Sequence, residues 1–189
     1  MVSTVFEIRQ SGEEGRPYGI PQRKSGNADF WKNLDIIRGD CHDLSEWQPM
    51  DLFCGEPGLT PVTEWDYFGK TGTSGLFSQR AVDALQKLWI RCFDAMPSLL
   101  EGRPYYFLHC RETIDCLNVQ ESQIVYFDPP DDHNIMRIER YAFHKSMLTD
   151  PLIFTIPQEP YFLFATDSVP RISEAAGLKG LEFRKLDCD

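Results

Sequence analysis

Six cysteines and four histidines are the side chains of this 189-residue chain best suited to nucleophilic or metal chemistry. Two pairs are adjacent, Cys41-His42 and His109-Cys110. Neighbouring side chains on a strand point to opposite faces, so neither pair converges simply on one ion. His42, His109, His133 and His144 have no i, i+4 spacing that would share a helix face. There is no Cys-x-x-Cys pair either. Reduced core cysteines and surface histidines are therefore expected. A Cys–His couple joined only by the fold, for example Cys41 or Cys110 with a distant His, stays open as the alternative.

Two further segments invite chemistry. Gly69-Lys70-Thr71 suggests a phosphate loop, but that motif needs a Gly five residues earlier, where Glu64 stands. It also needs a helix beginning at the Lys, and Gly72 and Gly75 interrupt one. The tract from Phe68 to Gly75 is read as a turn-rich connection. Asp131-Asp132-His133 offers oxygen ligands without the Gly turn of a calcium loop. Asp128-Pro129-Pro130-Asp131-Asp132 is read instead as an exposed acidic turn, and Asp128, Asp131 and Asp132 as candidate partner-binding residues. No catalytic residue, cofactor or metal site is expected.

The elements that must position these residues are clearest toward the end of the chain. From Ile135 to Leu186 the pattern predicts strand, turn, strand, capped helix and closing strand. Asp167 or Thr166 is the expected cap, and Pro170 sits in the first turn, where a missing N–H is harmless. Val169, Ile172, Ala175 and Ala176 form the expected apolar stripe, and Gly177 the left-handed stop. Leu181 to Arg184 alternates at period two.

Upstream, Val5 to Arg9 reads as a strand and Ser11 to Asn27 as a surface loop. Phe30 to Ile37 returns to the core as strand or short helix. Cys41 to Thr63 looks irregular apart from a strand at Leu52-Phe53. Ala81, Val82, Leu85, Leu88, Trp89, Cys92 and Phe93 predict a helix capped by Ser78 that ends before Pro97. Tyr105–Leu108, Ile124–Phe127 and Met136–Phe143 read as strands, and Lys145 to Leu148 as a helical turn. The fold class is α+β: a mainly antiparallel sheet packed by a few helices, with an irregular, loop-rich N-terminal part. Residues 1–75 are expected to be part of the same domain or a small subdomain, and 76–189 its core.

Charge narrows the function. Nineteen basic against 29 acidic residues give a net charge of −10. Binding to nucleic acid or to an anionic membrane surface needs clustered cations, and no basic run is longer than the two residues of Arg23-Lys24. Both are excluded, whereas a basic protein partner suits this balance. The start has no basic region followed by an apolar run, and no apolar stretch approaches the ~20 residues of a membrane span, so a cytoplasmic protein is expected.

Three stretches carry a resemblance: "LFSQRAVDALQKLW", "YYFLHCRETIDCLNVQESQI" and the segment from Ile135 to Leu186 ending "AAGLKGLEFRKL". Together with the Asp115-Cys116-Leu117-Asn118 tetrad, they make the chain similar, from about Leu76 to Leu186, to the Imm11 (DUF1629) family. These are immunity proteins of bacterial polymorphic toxin systems. The resemblance implies a cytosolic antitoxin that binds a cognate toxin and blocks it by occlusion, with no enzymatic turnover. It transfers no functional residues, and the oligomeric state stays open. Tyr18, Trp47, Trp65 and Tyr67 are candidate interface anchors, with core burial the competing role for each. The competing functions are a thiol- or carboxylate-dependent enzyme and an adaptor or chaperone for an effector.

Overall fold

A computed structural model describes residues 2–11, 21–23, 33, 36, 44–54, 65–71, 74–86, 92–127 and 135–186. Twelve strands have described bounds: β1 Val5–Gln10, β2 Pro21–Arg23, β3 Asp51–Cys54, β4 Tyr67–Thr71, β5 Ser74–Ser78, β6 Phe93–Leu100, β7 Arg103–Cys110, β8 Gln123–Tyr126, β9 Ile135–Arg140, β10 Ile153–Ile156, β11 Glu159–Thr166 and β12 Leu181–Lys185. Two α-helices have described bounds, α1 Gln79–Ala84 and α2 Ser168–Ala175. The α+β class is borne out. The first sheet runs β10-β11-β1-β12, the second β2-β3-β6-β7-β5-β4, and β8 pairs β9 separately. All described strand pairs are antiparallel except β3 with β6.

The second sheet is buried on both faces, and its sequence shows it. In β7, Tyr105 and Phe107 enter one apolar cluster with Trp47, Met50, Leu52, Phe68, Leu76 and Met96. Leu108 and Cys110, on the opposite side, join the larger cluster that holds Tyr67, Phe77 and Phe93. A strand packed on both faces needs a continuous apolar run instead of alternation. The run "YYFLHC" meets that requirement.

The first sheet buries its aromatic face under the segment that follows β9. Tyr141 and Phe143 stack with ring centroids 5.7 Å apart, and Phe143 meets Phe154 and Phe164 edge-on. A carboxylate shares this face. Glu7 is 2% exposed and lies between Arg9 Nε at 2.9 Å and Arg184 Nη2 at 2.6 Å. Arg184 stands directly across from Glu7 in the β1–β12 register, so strand pairing itself brings the charges together.

The C-terminal reading holds with two changes. Leu178 N–H donates to Ser173 O and Gly177 N–H to Glu174 O, with Gly177 at φ +62°, which is the double bond of a Schellman stop. Asp167 holds the cap position, but its side chain makes no cap hydrogen bond. Asp150 accepts from the Ser168 amide at 2.9 Å, while Asp167 turns away to accept from Ser3 N and Oγ at 2.7 Å each. The buried side of α2 is made by Val169 and Ser173, and Ala175 is exposed.

Three further expectations change. Phe68 to Gly75 is a β-hairpin, not a turn-rich connection, because its glycines admit close neighbours. A Cβ on Gly69 would sit 2.8 Å from Gln10 Oε1, and one on Gly75 2.7 Å from Tyr67 Cε2. The helix capped by Ser78 is real, with Ser78 Oγ accepting from Ala81 N at 3.1 Å. It does not extend to Phe93, though: Phe93 and Asp94 already belong to β6, and Pro97 lies inside that strand. Within β6, β3 pairs with Leu99 and Leu100 alone, so Pro97 occupies a stretch with no described strand on that side. Finally, Pro21–Arg23, expected in a loop, forms an edge strand against β3.

Gly180 fixes how the C-terminal strand is launched. Its φ is +88°, and a Cβ there would lie 2.6 Å from Tyr67 O. Gly102, at φ +76°, has nothing within 4 Å of that position. Gly102→Ala therefore costs only the left-handed strain of about 1–2 kcal/mol. Gly180→Ala adds a backbone collision of about 1–3 kcal/mol more. At roughly 2–4 °C per kcal/mol for a chain of this size, thermal melting should place Gly180→Ala well below Gly102→Ala, and equal midpoints would refute this account.

Candidate functional site

Three thiols, Cys92, Cys110 and Cys116, lie in the core. Cys92 and Cys116 are fully buried, and Cys110 is nearly so, with its Sγ 3.7 Å from Glu112 O and 3.8 Å from Ile153 O. His109 is half-buried in β7 and His144 exposed. No group of three His, Cys, Asp or Glu side chains is placed to hold a metal ion among the described residues. Cys41, His42, His133 and Cys188 lie outside the described residues, as do Tyr18 and the acidic segment with Asp128, Asp131 and Asp132. Trp47 and Tyr67 are core residues, with Trp47 Nε1 donating to Pro97 O at 2.8 Å. Trp65 is half-buried.

The strands on either side of the acidic segment make a surface that the sequence reading missed. Ile138 is buried and Ile124 half-buried, and they face each other across the β8–β9 ladder, tying this small sheet to the core. At the end of the ladder nearest the acidic segment, Tyr126, Phe127 and Met136 stand 41%, 55% and 52% exposed. They are three of eight large exposed apolar side chains among the described residues, and the three fall within one short hairpin. Scattered apolar exposure is ordinary, whereas a run of such residues is a candidate contact surface. The sequence signal was present, since Val125-Tyr126-Phe127 is an apolar run directly abutting Asp128. Apolar runs are read by default as core, and that default hid it.

The second feature is a groove of about 450 Å³ lined by Trp65, Asp66, Ser78, Gln79, Arg80, Arg103, Pro104, Tyr105 and Lys179. Its floor is organised by Asp66, which is 3% exposed. Ser78 Oγ donates to Oδ1 at 2.6 Å and Lys179 N–H to Oδ2 at 2.7 Å. Arg80 grips both oxygens, with Nε 3.0 Å from Oδ1 and Nη2 against Oδ2, and Nη2 also donates to Gly177 O at 3.0 Å. Burial alone would push this carboxyl up. Bonds from Arg80, the Lys179 amide and Ser78 outweigh that effect and hold it below the usual carboxylate range. The aromatic wall is fixed by Tyr105, whose hydroxyl donates to Trp65 O at 2.6 Å.

A smaller polar hollow is lined by Ser3, Asp150, Asp167 and Arg171. Both carboxyls there are pushed up by burial and pulled further down by hydrogen bonds, Asp150 from Ser168 and Thr166, Asp167 from Ser3 and Thr4. These bonds serve the start of α2.

The molecule is thus a sheet-dominated α+β protein whose accessible features are an apolar hairpin surface and a groove with a cationic lining. A sequence profile of the immunity protein family Imm11 matches residues 23–187, and the chain belongs to that family. The match carries the resemblance back from Leu76 across β3, β4 and β5 to Arg23. No curated protein matches the chain.

Asp66→Asn keeps the shape and removes the charge, leaving Arg80 without its ionic partner. The expected cost near neutral pH is about 2 kcal/mol. A depressed folded-state pKa contributes stability that is present above the unfolded carboxyl value of about 3.9 and is lost as pH falls through the folded value. Denaturation curves of the two proteins should therefore differ fully above about pH 4 and converge below it. A gap that stays constant to pH 2 would contradict the ionic role.

Proposed function

We propose that this chain is an antitoxin of the bacterial cytoplasm that binds one cognate protein toxin and neutralises it by occlusion, with no turnover of its own. The observation that carries the reading is the family membership across nearly the whole chain. The toxin-facing surface is the β8–β9 hairpin: Tyr126, Phe127 and Met136 as apolar anchors, with Asp128, Asp131 and Asp132 in the segment that joins the two strands in sequence. Aromatic anchors supply most of an interface's affinity, and surrounding charge sets orientation and association rate. The acidic balance of −10 suits a basic toxin surface. A standard interface of about 800 Å² per partner occupies under a tenth of the 10724 Å² surface. Residues 1–75 are read as part of the same domain as 76–189, since β1 lies between β11 and β12. No described helix is long and apolar enough to cross a membrane.

Co-expression with the product of the neighbouring gene tests the reading. The two proteins should co-purify, and growth should be rescued. A toxic neighbour that neither associates nor is relieved would overturn the proposal, and association without relief would indicate an adaptor. Phe127→Ala should weaken binding about 30-fold or more, as a central anchor does at ~2 kcal/mol, with the melting temperature unchanged. Replacing Asp128, Asp131 and Asp132 by Ser should slow association and flatten its salt dependence.

A further inference from the structure

The strand β12 ends one side of the first sheet, and its backbone has a bonded side and an open side. At the two ends of its ladder with β1, Leu186 N–H donates to Val5 O at 3.0 Å and Ser11 N–H to Gly180 O at 2.8 Å. Between them Arg184 faces Glu7 and Glu182 faces Arg9. Gly180, Glu182, Arg184 and Leu186 therefore turn their backbone groups toward β1, and Leu181, Phe183 and Lys185 turn theirs outward. Among the described residues, no strand pairs with that outward edge. The opposite edge differs: Thr155 of β10 donates to Glu112 O and accepts from Ile114 N–H. An open edge is a template for another strand unless its charges prevent pairing.

On β12 the charges select one pairing instead. Glu182 and Arg184 are exposed and lie two residues apart, on one face of the strand. A second β12 laid antiparallel about Phe183 sets Glu182 of each copy opposite Arg184 of the other. Centring the pair on Glu182 or on Arg184 sets like charges opposite each other. Only the Phe183 centre engages all three outward residues, Phe183 with its own copy and Leu181 with Lys185. The rows then continue into β1: Glu7, Arg184, Glu182 and Arg9 alternate in sign across four strands. Arg184 Nη2 lies 2.6 Å from Glu7, yet its side chain is 43% exposed, which leaves guanidinium donors facing the second carboxylate. On the other face, half-buried Leu181 and Phe183 pack against the core and carry its apolar surface to the edge.

We propose that β12 is a dimerisation edge: two copies of this chain join their four-stranded sheets by antiparallel β12–β12 pairing centred on Phe183. The contact is isologous and closes at two copies. A ladder of five residues is smaller than a standard interface, so the dimer exchanges with monomer. It shares no residue with the β8–β9 hairpin and is measured with no toxin present.

Sedimentation equilibrium of the full chain from about 1 µM to 1 mM should show a monomer–dimer equilibrium. Amide exchange followed by NMR over the same range locates the contact. The Leu181, Phe183 and Lys185 amides should slow about tenfold or more, whereas those of Glu182 and Arg184, already turned to β1, should change little. Glu182→Lys converts both unlike pairs into like pairs and should weaken the dimer about tenfold or more. Lys185→Pro removes one outward N–H from each copy and should also weaken it. Neither substitution removes a bond to β1, so the melting temperature of dilute protein should not move. A chain that stays monomeric at about 1 mM overturns the proposal. A dimer that leaves the three outward amides exchanging at the monomer's rate, or that survives both substitutions, overturns it equally, because its contact lies elsewhere.

Discussion

One buried carboxylate joins parts of the chain that lie far apart in sequence. Asp66 draws donors from Ser78 and Arg80 at the start of α1 and from Lys179 in the loop after α2. Its own backbone repeats the connection, with Asp66 N donating to Lys179 O and Asp66 O accepting from Ser78 N. A charge removed from water is tolerated only when its bonds replace its hydration. All four donors must therefore be in place together, and that requirement shapes the loop. Gly177 and Gly180 take positive φ because the chain must stop a helix, offer the Lys179 amide to Asp66 and pass over Tyr67 O within a few residues. Leu181 then enters β12 in register with Gln10, and Arg184 arrives opposite Glu7.

The C-terminal third was legible because its determinants are local. A glycine stop, a proline in the first helical turn and a period-two strand each act within five residues of one another. The central region was not, because two signals there conflict with what packing imposes. Ala81 to Phe93 has helical periodicity, and Gln86 and Cys92 are helical as well as α1, yet Leu85 is a turn and Phe93 already pairs with Cys110 in a ladder eight residues long. That ladder is closed by Glu101 and Gly102, both at positive φ, the requirement of a two-residue hairpin turn. The Glu-Gly pair at that point was the readable sign of a hairpin. Likewise, Gly69 and Gly75 were read as freedom when they serve proximity, and no single-sequence pattern separates those two uses.

The candidate surfaces divide in the same way. The acidic residues after β8 stand out by composition, whereas the exposed apolar residues that flank them in sequence do not. Exposure of Tyr126, Phe127 and Met136 is a property of the tertiary arrangement, since an identical run would be core if an element covered it. The groove is further still from the sequence. Its lining comes from positions 65–66, 78–80, 103–105 and 179, four segments with no shared spacing. The contacts of Asp66, the β5–β7 register that sets Ser78 opposite Tyr105, and the Tyr105 hydroxyl on Trp65 O bring them together.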